Sequence, residues 1–214
     1  MSTAEITEKS ETDGRIARAA KLRAQRRQTV LDAALRVFSA KGYHQTRIAD
    51  IIEEASIARG TFYLYFDSKH AIFDELLDDL LRRVDRSVEG VDMAPEAAPV
   101  RDQLLKVVKR VLIAFREDRM LAKLILREAV GLDAEIDEKL SAFHHQLHAW
   151  LTQSLSRGQH IGLIRAIDPV LTAWCILGSV KQFLQLVLEA PDDQLDLDHL
   201  SEVILDYNLQ GIRA

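Results

Sequence analysis

Apolar residues recur every three or four positions along most of this chain, a spacing typical of amphipathic helices rather than strands. With 9 Gly and 4 Pro in 214 residues, the chain also has few residues that end helices or form turns. We therefore expect an all-α fold. The pattern predicts helices at 22–41, 47–54, 58–65, 68–88, 101–115, 119–131, 134–157, 168–189 and 196–211.

Segment 45–69 places two short helical patterns and a tight turn within 25 residues. The first helix carries its apolar residues on one face, and 56–58 interrupts that pattern and can turn the chain. Ile57, Phe62 and Phe66 are spaced to face inward from the second helix. This arrangement predicts a helix-turn-helix, whose second helix enters the major groove of DNA.

The outward side of the second helix has no carboxylate, which suits an anionic polymer. Arg47, Arg59 and Thr61 are candidates for contacts with base edges. An Arg side chain can form a bidentate hydrogen bond with guanine, and the methyl group of Thr can contact thymine. Tyr63 and Tyr65 lie two positions apart and so point to different sides, where an exposed phenol can bond a phosphate. The full set of predicted DNA contacts is Thr46, Arg47, Arg59, Gly60, Thr61, Tyr63, Tyr65 and Lys69.

Three of these residues are predicted from their backbone positions. Thr46 is expected to cap the first helix and to offer its hydroxyl to the DNA backbone. Gly60 permits close approach of the DNA, whereas Lys69 lies at a helix N-terminus, where the helix dipole already favours a phosphate. We therefore expect Lys69 to contact a phosphate.

The charge distribution supports a DNA-binding end, although the net charge is −5. Residues 15–69 contain 11 Lys/Arg and 5 Asp/Glu, whereas residues 75–214 contain 16 Lys/Arg and 23 Asp/Glu. A cationic head on an acidic body directs one end of the molecule towards phosphates. A basic cluster at 15–27 is either an arm that touches DNA or a solvated tail.

The same region resembles the DNA-binding domain of the TetR (tetracycline-repressor-like) transcriptional regulators. The resemblance covers about residues 26–78 and rests on Ala33-Ala34, Phe38, Lys41-Gly42-Tyr43, Thr46, Ile48-Ala49-Asp50-Ile51, Gly60-Thr61-Phe62-Tyr63, Phe66 and Ser68-Lys69. It implies an N-terminal three-helix head on a larger helical body that binds ligands and dimerises. The expected divisions are a flexible basic arm at 1–20, the helix-turn-helix domain at 21–67 and the body at 68–214.

Segment 168–189 is apolar around nearly its whole circumference, so more than one neighbour must bury it. With the last helix, it is the candidate for a four-helix homodimer interface; a helix central to a monomer is the alternative. The predicted interface residues are Trp174, Leu177, Val180, Leu184, Val203 and Tyr207.

An effector pocket is expected within the body. Its mostly apolar candidates, with one cation, would suit an elongated hydrophobic molecule that carries an anionic group, such as a fatty acyl derivative. They are Phe115, Leu124, Arg127, Phe143, Leu147 and Trp174.

Other functional classes find little support in the sequence. His144 and His148 have the i,i+4 spacing of a metal-binding pair, but no third ligand stands at a matching spacing, so we expect no metal or cofactor. No phosphate loop or nucleophile elbow occurs, which argues against an enzyme. The single Cys175, the charged N-terminal residues and the absence of a long apolar run predict a cytoplasmic protein without a membrane partner.

Two functions from different classes remain. The first is a ligand-responsive regulator, usually a repressor by resemblance, that binds a palindromic DNA operator as a homodimer. The second is a constitutive DNA-binding protein whose body serves only dimerisation or a protein partner. The sequence leaves the effector, the operator and the sign of regulation open.

Overall fold

A computed structural model describes residues 3–88, 90–94, 96–191 and 195–212, with side chains from residue 17 onwards. Within these residues the regular elements are all helices, which confirms the all-α prediction. The helices are α1 (Thr3–Lys41), α2 (Ile48–Glu54), α3 (Arg59–Tyr63), α4 (Lys69–Ser87), α5 (Val100–Glu117), α6 (Arg119–Glu128), α7 (Ala134–His160), α8 (Pro169–Glu189) and α9 (Leu197–Ile212).

The first helix differs most from its predicted bounds. α1 extends back to Thr3, where we expected a flexible arm over residues 1–20. Residues 3–20 contain one Gly and no Pro, and they are rich in Ala, Glu, Lys and Arg, which propagate a helix readily once it has begun. Residues 1–2 and the side chains of residues 3–16, including that of Arg15, lie outside the described part.

The chain divides into two compact units, 1–76 and 77–214. The division falls inside α4, so this helix belongs to both units. The division expected from the sequence, after residue 67, lies just before this helix begins.

The first unit has an aromatic core. The ring centroids of Phe38 and Phe73 lie 6.1 Å apart, and Tyr43 packs 5.1 Å from Phe73. Phe62 of α3 is fully buried, and Phe66 is nearly so. Burial of these rings fixes the orientation of the short helix α3, whose remaining side chains then face outward.

The second unit contains a core to which α5, α6, α8 and α9 contribute. Leu112 and Phe115 of α5 pack in one cluster with Leu184 of α8 and Ile204 of α9. Val180 packs against this cluster from the same side of α8 as Leu184. We predicted an intermolecular contact for both residues, but they contribute to the core of their own chain.

Candidate nucleic-acid interface

The backbone bends sharply in the turn between α2 and α3. Ser56 has a φ of 53°, a left-handed conformation that is uncommon for residues other than glycine. The amide of Ser56 donates to the carbonyl of Glu53, and that of Ile57 donates to Ile52 at 3.3 Å. α3 therefore begins at Arg59, immediately after a tight turn, as in a helix-turn-helix.

Thr46 does not occupy its predicted position. Its side chain is 2% exposed, and its hydroxyl donates to the carbonyl of Gly42 at 2.8 Å. Arg47 is the N-cap residue of α2, and the Asp50 carboxylate accepts its amide hydrogen at 2.8 Å. The predicted cap by Thr46 is therefore wrong, because its hydroxyl closes the preceding loop instead. Its DNA contact stays a prediction, for which the buried hydroxyl offers no support.

Lys69 also has partners within the protein. Its ammonium donates to the carbonyls of Tyr43 at 2.8 Å, Thr46 at 3.0 Å and His44 at 3.2 Å. It also lies 4.5 Å from the centroid of the Tyr43 ring. An ammonium has three hydrogens, and all three are used here. Lys69 thus secures the loop before α2, a role that its helix-terminal position did not reveal.

Several other cations of the first unit are bound in ion pairs. Arg27 forms a two-pronged pair with Glu75, donates to the carbonyl of Tyr65 at 2.8 Å and lies 4.2 Å above the Phe66 ring. Arg36 pairs with Glu54 of α2 at 2.6 Å. These arginines attach α1 to the helix-turn-helix and its flanking residues.

Lys41 pairs with Asp50 at 3.0 Å, near the first turn of α2. The backbone N–H of Arg47 and the ammonium of Lys41 hold the pKa of Asp50 below its usual value. Asp50 is therefore anionic at neutral pH. It stabilises the N-terminus of α2, where a negative charge is favourable.

Within the described residues, the guanidiniums of Arg26, Arg47 and Arg59 form no hydrogen bond or ion pair with another protein group. Each is exposed, and Arg59 lies 5.8 Å from the ring centroid of Tyr63. A Cβ added at Gly60 would meet no protein atom within 4 Å, so the backbone there is open to close approach. These residues can contact an external anion without breaking an internal bond.

Two open cavities flank α3. The α2 groove, of about 550 Å³, is lined by Ile48, Ala49, Ile52, Glu53, Ser56, Ile57, Arg59 and Tyr63. The α1 notch, of about 270 Å³, is lined by Arg26, Thr29, Val30, Ile57, Ala58, Thr61 and Tyr65. As expected, Tyr63 and Tyr65 face different sides of the helix.

The residues proposed for an effector pocket separate into two groups. Phe115, Leu124, Phe143 and Leu147 are buried or half-buried in the second unit. Arg127 and Trp174 are exposed, so they do not line the interior of a single chain. Arg127 lies in the last turn of α6. Its place in an effector pocket stays a prediction.

The histidines of α7 contact α8. The ring of His148 stacks on Trp174 at 4.3 Å, and its Nε2 lies 2.9 Å from the carbonyl of Val170. Desolvation, Lys181 and His145 lower the pKa of His144. No group of three metal-binding side chains occurs in the part of the chain that the structure describes.

The predicted dimer residues also fall into two groups, because some are exposed and others are at least half-buried. Trp174, Val203 and Tyr207 are exposed by 45%, 42% and 69%, and Leu177 is half-buried. With Val170 and Leu171 they leave an apolar surface on α8 and α9.

By length and composition α8 would be able to cross a membrane, since Lys181 is its one charge before Glu189. No such helix was predicted from the sequence. The core helices of soluble proteins have the same length and composition, so one such helix does not identify a membrane protein.

Comparison with known proteins agrees with this geometry. Residues 30–76 match the family described as bacterial regulatory proteins, tetR family, and residues 97–185 match the tetracyclin repressor-like C-terminal domain. The fatty acid metabolism regulator protein of Bacillus subtilis (strain 168) is 27% identical over 191 residues, which are 86% of this chain and 93% of that protein.

Two solved structures share the fold over nearly their full length. The fatty acid degradation regulator FadR from Bacillus halodurans has a TM-score of 0.69 at 25% identity, covering 87% of this chain and 95% of that chain. FadR from Bacillus subtilis in complex with stearoyl-CoA has a TM-score of 0.64 at 26% identity, covering 87% and 99%. The similarity thus includes both the helix-turn-helix and the helical body.

Proposed function

Because the chain belongs to the TetR family of bacterial transcriptional regulators, we propose that it is a repressor controlled by a fatty acyl thioester. It binds a palindromic operator as a homodimer in the cytoplasm and releases it when the effector occupies the body. It performs no catalysis and needs no metal or cofactor.

The observation that carries the DNA-binding proposal is the distribution of free cations around the helix-turn-helix. Within the described residues, the exposed guanidiniums of Arg47 and Arg59 form no hydrogen bond or ion pair, whereas the side chains of Arg27, Arg36 and Lys69 each bond to other protein groups. Free guanidiniums at the start of α2 and α3 are suited to guanine edges, where a bidentate bond discriminates between bases. Tyr63, 42% exposed beside Arg59, supplies a hydroxyl for the backbone.

The effector class is supported by relatives and by the chemistry of the body. One similar structure is described with stearoyl-CoA, and a similar protein is described as a regulator of fatty acid metabolism. Phe143 and Leu147 of α7 are half-buried, and Leu124 of α6 is buried, so α6 and α7 offer apolar side chains to an acyl chain. We propose these residues and Phe115 as the acyl-contacting surface.

Release would follow from a change in the spacing of the two heads. Two recognition helices read successive major grooves when they lie about one helical turn, roughly 34–36 Å, apart. An effector that prefers a body conformation with another spacing lowers the operator affinity by its differential binding to the two states. α4, which belongs to both units, is the covalent connection through which the change would pass.

Constitutive DNA binding is the alternative. In that case the body would serve dimerisation alone.

Selection from a random pool of duplexes, followed by titration of the selected duplex, tests the proposal. We expect a palindromic site, bound at a stoichiometry of one dimer, and release on addition of stearoyl-CoA but not of coenzyme A. Failure to select any duplex would contradict the DNA-binding function. Tight binding that stearoyl-CoA and shorter acyl thioesters leave unchanged would favour the constitutive alternative.

A further inference from the structure

The two cavities beside α3 differ in their chemistry. The α2 groove contains a carboxylate, Glu53, and the apolar side chains of Ile48 and Ile52. The α1 notch contains no carboxylate, and its polar lining consists of Arg26, Thr29, Thr61 and Tyr65. A carboxylate repels a phosphate and can accept from a base amino group, whereas a guanidinium and hydroxyls donate to a phosphate.

The donors of the notch are available. Within the described residues, neither the Arg26 guanidinium nor the side-chain hydroxyls of Thr61 and Tyr65 bond to another protein group. Thr29 is different, because its hydroxyl donates to the carbonyl of Gln25 at 3.0 Å and so forms only a wall of the notch. Three side chains can therefore donate to one ligand without losing an internal bond.

The position of the notch is held by structural contacts. Thr61 and Tyr65 are four residues apart, so they lie on one side of the chain as α3 ends, opposite Arg59 and Tyr63. Arg27, which follows Arg26, bonds the carbonyl of Tyr65 and pairs with Glu75. This clamp keeps the Arg26 segment of α1 beside the end of α3, and the notch is therefore preformed.

We propose that the α1 notch binds a phosphate of the operator backbone, with Arg26, Thr61 and Tyr65 as donors. This inference rests on the proposed DNA-binding function and assigns a contact on α1 that the helix-turn-helix does not include. It also transfers Thr61 from a base contact to a phosphate contact. Base reading then belongs to the opposite side of α3, with Arg59.

The test compares the salt dependence of DNA binding by full-length variants on the duplex selected above. Arg26→Gln should lower the slope of log K against log salt by about 1 for each bound head, because one phosphate contact no longer releases a counterion. Arg26→Lys should retain the slope. Lys21→Gln is the matched control: it removes the same charge from α1, about 140° around the helix from Arg26.

A second variant isolates the hydroxyl. Tyr65→Phe should weaken binding roughly 2- to 10-fold for each bound head, the value of one hydrogen bond, and leave the salt slope unchanged because no cation is lost. The loss should be the same on duplexes that carry single base substitutions. One neutral methylphosphonate in the backbone should abolish the effects of both Arg26→Gln and Tyr65→Phe.

Three results would overturn the assignment. Equal slope changes for Arg26→Gln and Lys21→Gln would show that Arg26 contributes only diffuse charge. A Tyr65→Phe effect confined to particular base pairs would make the notch a base-reading site. If the effects of Arg26→Gln and Tyr65→Phe add to that of the methylphosphonate at every position tested, then Arg26 and Tyr65 do not bind the same phosphate. All three require that the wild type binds DNA, so they are distinct from a failure of the proposed function.

Discussion

Arg26 and Arg27 are neighbours in a basic cluster, yet the structure gives them opposite environments. Arg27 bonds Glu75 and the carbonyl of Tyr65, whereas Arg26 lies exposed at the α1 notch. Residue types and spacing predicted the basic cluster but could not separate these two. The partner of Arg27 lies 48 positions away in the sequence, so only the folded chain shows which guanidinium remains free for an external anion.

The role of Lys69 can be tested with a single substitution, because the sequence predicts a phosphate contact and the structure shows bonds to three loop carbonyls. Lys69→Met removes three bonds to carbonyls, and we expect it to destabilise the first unit by about 1–3 kcal/mol. Hydrogen exchange of peptides that cover residues 43–52 measures this as faster exchange. Lys21→Met, an exposed lysine without a partner in the described structure, should leave the exchange unchanged.

The two roles give different results in this experiment. If Lys69 is mainly a phosphate contact, Lys69→Met will leave hydrogen exchange unchanged and will reduce only the salt dependence of DNA binding. A loop-securing lysine instead accelerates exchange in the absence of DNA.

At the scale of the element, the helical spacing predicted most of the helices well. The ranges expected for the helices at 47–54, 101–115 and 168–189 lie within three residues of α2, α5 and α8. Asp168 caps α8, since its carboxylate accepts from the backbone amides of Val170 and Leu171. The orientation of α8 was not predictable, because a helix with apolar residues on all sides carries no periodic signal for its buried face.

The N-terminus of α2 is pH-sensitive in a defined direction. The pKa of Asp50 is lowered from 3.8 in the folded chain, so the unfolded chain binds the proton more readily. The stabilisation is therefore fully present above the unfolded pKa and is lost as the pH falls through the folded value. The carboxylate that accepts from the Arg47 amide and pairs with Lys41 is the group that titrates.

We expect Asp50→Asn to accelerate hydrogen exchange at residues 50–52 at pH 6, after correction for intrinsic rates. The difference from the wild type should shrink as the pH falls through the lowered pKa of the folded wild-type carboxyl, below 3.8, because that carboxyl then becomes neutral as well. Asp67→Asn, at an exposed carboxylate of the same unit, is the control. A difference that stays constant from pH 6 to pH 3 would contradict a role for the charge.

At the scale of the whole molecule, the exposed apolar residues of α8 and α9 need a covering surface. Trp174, Val203 and Tyr207 lie among the large apolar side chains that the single chain leaves in water. Large apolar side chains left exposed on two neighbouring helices are candidates for an interaction site. The proposed palindromic operator would be matched by a twofold dimer, in which the same surface of each chain meets its copy.

The last prediction follows from the division of α8 into inward and outward residues. Trp174→Glu and Tyr207→Glu should each give monomers, because a charge without a partner is costly inside an interface. Sedimentation at micromolar concentration measures the mass of the assembly. Val130→Glu, at an apolar residue that is 74% exposed between α6 and α7, should remain dimeric.

The same variants connect assembly to DNA binding. Monomers of Trp174→Glu should keep the hydrogen-exchange pattern of residues 43–52, since the first unit is unchanged, and should lose at least tenfold in operator affinity because one head alone reads half a site. A wild type that sediments as a monomer would refute the interface. Variants that dimerise as the wild type does would move the interface away from this surface, and with it the proposed twofold arrangement of the heads.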